Sequence, residues 1–184
     1  MDNTFYDCDD DAALLTISSN TLGHNADSAR GLCQEARLLA YTAHQGQVDK
    51  AGQPYVHHPR EVAGRIRKAG GSPDAVAAGW LHDVVEDTWV TLDYLADAGF
   101  PATVINAVDA VTKRAGEPTE EYVHRIVADP IAVMVKRADL ADNTDPDRLA
   151  LLDPLTRARL EAKYAAFTTA LEKALGSLAG FGSL

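Results

Sequence analysis

Apolar positions from residue 27 onward recur at intervals of three and four, the period of helices with one inward face. Leu32, Ala36, Leu39 and Ala43 lie on one such face. Pro59 is a natural first-turn residue for a helix carrying Val62, Ile66 and Ala69, and Gly70-Gly71 stops it. Ser72-Pro73 joins an N-cap to a proline at the first helical position, which predicts a helix through Trp80 to about Asp87. Thr91 opens a short helix ending near Gly99, Pro101 opens another with Val104, Val108 and Val111 aligned, and Thr119 caps a segment bearing Tyr122 and Ile126. After Pro130 the run Ile131-Ala132-Val133-Met134-Val135 is apolar all round, which suits a buried strand as well as a buried helix. Its continuation through Lys136 to Asn143, with no other convincing strand in the chain, favours the helix. Asp153-Pro154 repeats the cap-and-proline signal before a long helix with Leu160, Tyr164, Phe167, Leu171 and Leu175 on one stripe, closed by Gly176. The expected fold is all-α, a bundle of about eight helices.

The first 26 residues break this pattern. Asp2, Asp7, Asp9, Asp10 and Asp11 crowd their start and Ser18, Ser19, Asn20 and Gly23 punctuate the rest, so they read as an acidic, flexible tail. Leu14, Leu15 and Ile17 form a short patch by which such a tail could dock on the body or on a second subunit. A total of 184 residues suits one core, so residues 27–184 are expected to form a single domain. Charge narrows the function. With 17 Lys and Arg against 27 Asp and Glu the net charge is −10, which argues against general attraction to nucleic acid or an anionic membrane. A polyanionic substrate would need a local cationic device, a metal ion or a few placed lysines. Cys8 and Cys33 make neither a paired zinc motif nor a disulfide framework, which suits a reducing compartment. No lysine or arginine precedes Arg30 and no long apolar run follows the start, so the expectation is a cytoplasmic protein without signal peptide or membrane span.

Four residues carry the chemistry: His58, the adjacent His82-Asp83, and Asp139. Each falls within or at the end of a predicted helix, and such a set can converge on one metal ion in a helical core. Two imidazoles and two carboxylates suit a divalent ion such as manganese or iron, with positions left for water and substrate, better than a closed zinc site. A His-Asp pair among Ala77, Ala78, Trp80, Val84 and Val85 lies where burial is expected and bare charge is costly, and a ligand role resolves that cost. Glu86 and Asp87 follow one turn later, placed to orient water or move a proton. Lys50, in a Gly- and Pro-containing loop leading to His58, is positioned to hold phosphate. Lys113 and Lys136 add cations, Asn143 offers a hydrogen bond to a base or ribose, and Tyr55 can pack or stack.

The ordered set His58, His82-Asp83, Asp139 resembles the HD phosphohydrolase superfamily. Lys50-Ala-Gly-Gln-Pro-Tyr with His58-Pro59, His82-Asp-Val-Val-Glu-Asp-Thr88, Val111-Thr-Lys113, and Val135-Lys-Arg-Ala-Asp139 with Asn143 resemble, more narrowly, the hydrolase domain of Rel/Spo-type alarmone enzymes. The resemblance covers roughly residues 30 to 145. It implies an all-helical fold, a single Mn2+ ion, a guanine-nucleotide alarmone as substrate, and removal of the 3′-pyrophosphate of (p)ppGpp to give GDP or GTP plus pyrophosphate. The length matches a stand-alone small alarmone hydrolase, with assembly into a homo-oligomer left open. Two positions depart from the pattern. Asp49 stands where the family commonly carries Arg, and Thr144-Asp145-Pro146-Asp147 replaces an Arg-Thr type of segment, so purine recognition is the part of the resemblance they do not carry. The alternatives are an HD phosphohydrolase of another nucleotide (a dinucleotide, a 5′-nucleotide or an NADP-type cofactor) and a catalytically silent nucleotide-binding regulator.

Overall fold

The computed structural model describes residues 26–181, and the acidic tail assigned to residues 1–26 lies almost wholly outside them. Among the described residues the chain forms ten helices: α1 Ala26–Ala43, α2 His57–Lys68, α3 Pro73–Leu81, α4 Val84–Asp87, α5 Leu92–Asp97, α6 Ala102–Val111, α7 Thr119–Val127, α8 Pro130–Asn143, α9 Pro146–Ala150 and α10 Pro154–Phe181. The only strand-like pairing described is an isolated bridge between Val48 and Pro54. The all-α expectation holds, and none of these helices is long and apolar enough to cross a membrane.

Side-chain caps open several of these helices where the sequence signals lie. Ser72 accepts from the Ala75 N–H, Thr91 from Tyr94, Asp129 from Ile131 and Ala132, and Asp153 from Leu155 and Thr156. Gly70, at φ 77°, ends the chain's path out of α2 in the left-handed region that Gly adopts without a Cβ clash. The Ile131–Val135 run is helix, with Ala132 and Val135 buried.

Four details differ from expectation. The helix predicted from 73 to about 87 is two, broken at His82-Asp83: the His82 ring takes the Gly79 carbonyl, and Asp83 sits at φ −104°, ψ −5°, outside regular helical values. Thr119 is the first residue of α7, and Pro118 occupies the cap. Gly176 does not close α10, which continues to Phe181. Finally, α9 is an additional short helix, opened by Asp145, whose side chain accepts from Asp147, with Pro146 in the first turn.

Helix α3 is the hub. Every residue from Ala75 to Leu81 is buried, and α1, α2, α6 and α8 all pack against it. Small side chains make this possible, and Gly79 is a point of close approach. A Cβ there would lie 2.5 Å from Ile66 Cδ1 and 3.2 Å from Ala63 Cα, so α2 passes almost backbone to backbone. Ile66 could turn aside, but the Ala63 backbone cannot. Because His58 rides on α2 and His82 follows α3, this contact sets the spacing of the two imidazoles. Gly79→Ala is expected to cost about 1–3 kcal/mol by overpacking, read from urea unfolding. A variant as stable as the parent would show that the two helices separate freely.

Candidate active site

The loop from α1 to α2 folds on its own polar groups. Asp49 Oδ1 accepts from the Ala51 and Gln53 N–H groups, each at 2.9 Å, which closes the turn carrying Lys50. Gln47 donates to the Asp87 carbonyl at 2.9 Å and ties this loop to α4. The chain is thereby delivered into α2 with His58 buried in its first turn.

His58, His82 and Asp139 converge. The two Nε2 atoms are 3.2 Å apart, and Asp139 Oδ1 lies 3.1 Å from His58 Nε2 and 3.9 Å from His82 Nε2. Asp83 stands at their edge, its Oδ2 3.0 Å from His82 Nε2 and 3.6 Å from His58 Nε2. Tautomers follow from the partners. The Gly79 carbonyl only accepts, so His82 Nδ1, 2.9 Å away, carries the proton. Asp142 does the same for His58 Nδ1 at 2.7 Å. With each Nδ1 holding a proton, the two Nε2 atoms face each other and the Asp139 carboxylate, an arrangement that a cation between them completes. The His58, His82 and Asp139 atoms so spaced can all lie about 2.0–2.2 Å from one ion, so these three donors fit a divalent metal, with Asp83 at the edge of the set. His58, His82 and Asp139 form a group able to hold one.

Electrostatics agree. Burial pushes the Asp83 and Asp139 carboxyls up, but His82 and His58 beside Asp83, and Lys136 with both imidazoles beside Asp139, hold each well below the usual carboxylate range. Burial lowers the His58 imidazolium, yet its hydrogen bonds to Asp139 and Asp142 outweigh that and raise it to about 9. The cluster therefore binds positive charge strongly.

Beside it opens a cavity of about 400 Å3, within the range of small-ligand sites. All eleven residues singled out in the sequence reach this site: ten line the cavity and His82 lies behind its wall. Their polar atoms divide into two sets. Lys136 donates to Asp139 Oδ2 at 2.8 Å, Asn143 to Asp139 Oδ1 at 2.5 Å, and Tyr55 to Asp83 Oδ2 at 2.6 Å. These three, expected to meet substrate, are instead bonded to the candidate ligand carboxylates. Lys50 and Lys113 are exposed, with ammonium groups available to a ligand. Glu86 accepts the Lys113 N–H at 2.8 Å, and Asp87 lies 3.3 Å from the Tyr55 hydroxyl.

Three residues were missed. Lys163, on α10, joins the cavity's cations: burial and then Lys50, Lys136 and Lys113 lower its pKa. Its neighbours Leu160, Tyr164 and Phe167 belong to the apolar stripe, and no motif in the sequence marks the lysine among them. Asp142 and Arg148 stand behind His58, and only the Asp145-Pro146 helix start hinted at the element bearing Arg148. Asp49, which stands where the family commonly carries Arg, is taken up by its own turn and by Arg148, 3.8 Å away.

The comparisons agree with this geometry. A family model described as HD domain matches residues 36–129, just over half of the chain. The chain belongs to the HD-domain family. Among curated relatives, a "Probable guanosine-3′,5′-bis(diphosphate) 3′-pyrophosphohydrolase" of Synechocystis sp. is 45% identical over 78 residues, 42% of this chain and 10% of that protein. A "GTP pyrophosphokinase" of Myxococcus xanthus is 36% identical over 90 residues, 49% of this chain and 12% of that protein. A "Guanosine-3′,5′-bis(diphosphate) 3′-pyrophosphohydrolase" of Haemophilus influenzae is 36% identical over 132 residues, 67% of this chain and 19% of that protein. The chain thus spans between a tenth and a fifth of the length of these relatives.

Proposed function

We propose that the protein is a Mn2+-dependent hydrolase that removes the 3′-pyrophosphate of (p)ppGpp, acting in the cytoplasm to lower the alarmone signal. The observation that carries this reading is the juxtaposition of the buried His58, His82 and Asp139, with the half-buried Asp83, and a cavity bearing Lys50, Lys113 and Lys163. A chain of net charge −10 has no general use for such a ring of lysines, whereas a multiply phosphorylated substrate does. The names of the relatives supply the guanosine 3′-pyrophosphate itself.

In this reading His58, His82, Asp83 and Asp139 hold one Mn2+, which when bound lowers the pKa of water and polarises a P–O bond. Lys136 and Asn143 fix Asp139, and Tyr55 fixes Asp83. Lys50, Lys113 and Lys163 bind and orient the phosphates. Glu86 and Asp87 serve the water and the leaving 3′-oxygen.

A panel of pGpp, ppGpp, pppGpp, 5′-nucleotides, dinucleotides and NADP, with product analysis in added Mn2+, tests the function. Release of pyrophosphate with GDP or GTP is the expected result. Turnover confined to another member would overturn the substrate while keeping the enzyme class, a second reading favoured by Asp49, which faces Arg148 instead of offering a cation to a purine. Binding without turnover would mark a regulator.

Lys50→Ala is expected to raise KM about tenfold, the size of one charge-assisted hydrogen bond, with a smaller change in kcat. The KM of the unaltered protein should also climb with ionic strength. A KM untouched by the substitution would remove Lys50 from the site.

A further inference from the structure

Asp142 stands directly behind the cluster. It is buried, its Oδ2 lies 2.7 Å from His58 Nδ1, and that same oxygen takes Nη1 of Arg148. Arg148 comes from α9, and its Nη2 lies 3.8 Å from Asp49 Oδ2, so the guanidinium bridges the Lys50 loop to the carboxylate behind His58. Arg65 adds a second guanidinium, 3.7 Å from Asp142 Oδ1. A carboxylate only accepts and a guanidinium only donates. The 2.7 Å between Arg148 Nη1 and His58 Nδ1 is therefore the meeting of two donors on one shared acceptor, not a bond between them. Were Nδ1 to accept from Arg148 instead, the ring proton would sit on Nε2, facing His82 and Asp139, and close that nitrogen to a metal.

We infer that Asp142, locked by Arg148, is a positioning residue that holds His58 as its Nδ1–H tautomer and so keeps Nε2 open to the metal. Asp142 supplies the acceptor. Arg148 makes the atom at that point obligatorily an oxygen, because any donor placed there would face two others. The inference rests on the metal reading of the cluster but not on the identity of the nucleotide.

Mn2+ titration of the metal-free protein near neutral pH, followed by the EPR signal of free Mn2+ and without nucleotide, tests it. Asp142→Ala is expected to weaken Mn2+ binding about tenfold or more, the usual effect of losing a partner behind a ligand. Asp142→Asn restores most of that affinity, since Arg148 turns the amide oxygen toward Nδ1. In the Asp142→Asn, Arg148→Ala double variant Arg65, on the Oδ1 side, draws the amide oxygen away from His58, and the rescue is lost. That variant leaves no lone charge behind His58, so its fold is expected to survive, as circular dichroism would show. Mn2+ affinity of Asp142→Ala within about twofold of the parent, or rescue by Asn that persists without Arg148, overturns the inference. Failure of the alarmone reading leaves these affinities untouched. Full Mn2+ binding by His82→Ala would instead sink the metal reading.

Discussion

Replacing His82 or Asp83 with alanine is expected to strip the metal and abolish turnover. Each side chain meets the others at the cluster: His82 Nε2 lies 3.2 Å from His58 Nε2 and 3.0 Å from Asp83 Oδ2. Loss of a partner behind a ligand typically costs 10–100-fold in metal affinity, and loss of a ligand itself should exceed that. Turnover falls further. Metal assistance contributes several kcal/mol to a phosphoryl-transfer transition state, and each 1.36 kcal/mol is tenfold in rate, so a fall of about a thousandfold or more follows. Asp83→Ala also strips Tyr55 of its 2.6 Å acceptor, which should loosen the cavity wall as well. Metal analysis of the purified variants decides the matter. Full occupancy in both would remove these residues from the ligand set.

The positions of most helices were legible because their signals are local. Ser72, Thr91, Asp129 and Asp153 cap through bonds two or three residues away, which sequence spacing encodes directly. The break at His82-Asp83 was not, because it depends on a side chain claiming the Gly79 carbonyl, and periodicity does not report where a ring points. Gly176 misled for a related reason: a glycine ends a helix only when the chain turns left-handed after it, and α10 has no such turn there.

In the site, the metal-type residues stood out because a His-Asp pair inside an apolar helix has few structural uses. What stayed hidden was the pairing of polar atoms across distance. Lys136 and Asn143, three residues before and four after Asp139, sit at spacings that allow intrahelical bonds to it, yet their polarity alone suggested substrate. Asp49 and Arg148 meet only because α9 folds back on the first loop, a pairing that the spacing of the two residues along the chain does not encode. Sequence fixes which groups exist; the tertiary fold decides which of them remain free for a ligand.

Glu86→Gln and Asp87→Asn carry the second large expected effect. Departure of pyrophosphate from a ribose 3′-oxygen requires an oriented water and a proton for the leaving oxygen. The two carboxylates beside the cluster are placed for this in different ways. Asp87 reaches Asp83 through the Tyr55 hydroxyl, which lies 3.3 Å from Asp87 Oδ2 and 2.6 Å from Asp83 Oδ2. Glu86 is steadied by the Lys113 N–H at 2.8 Å and keeps its second oxygen available. Burial raises the pKa of both, and the negative Asp83 raises them further, so each holds a proton to higher pH than an exposed carboxyl. That is the property a general acid needs. Gln at 86 still accepts from Lys113, and Asn at 87 still meets Tyr55, so neither change should disturb the fold or the metal. Each is expected to lower kcat about a hundredfold or more, the usual size of a lost acid–base contribution, with Mn2+ retained. Near-parental rates in both variants, with the ion bound, would show that proton transfer is handled elsewhere.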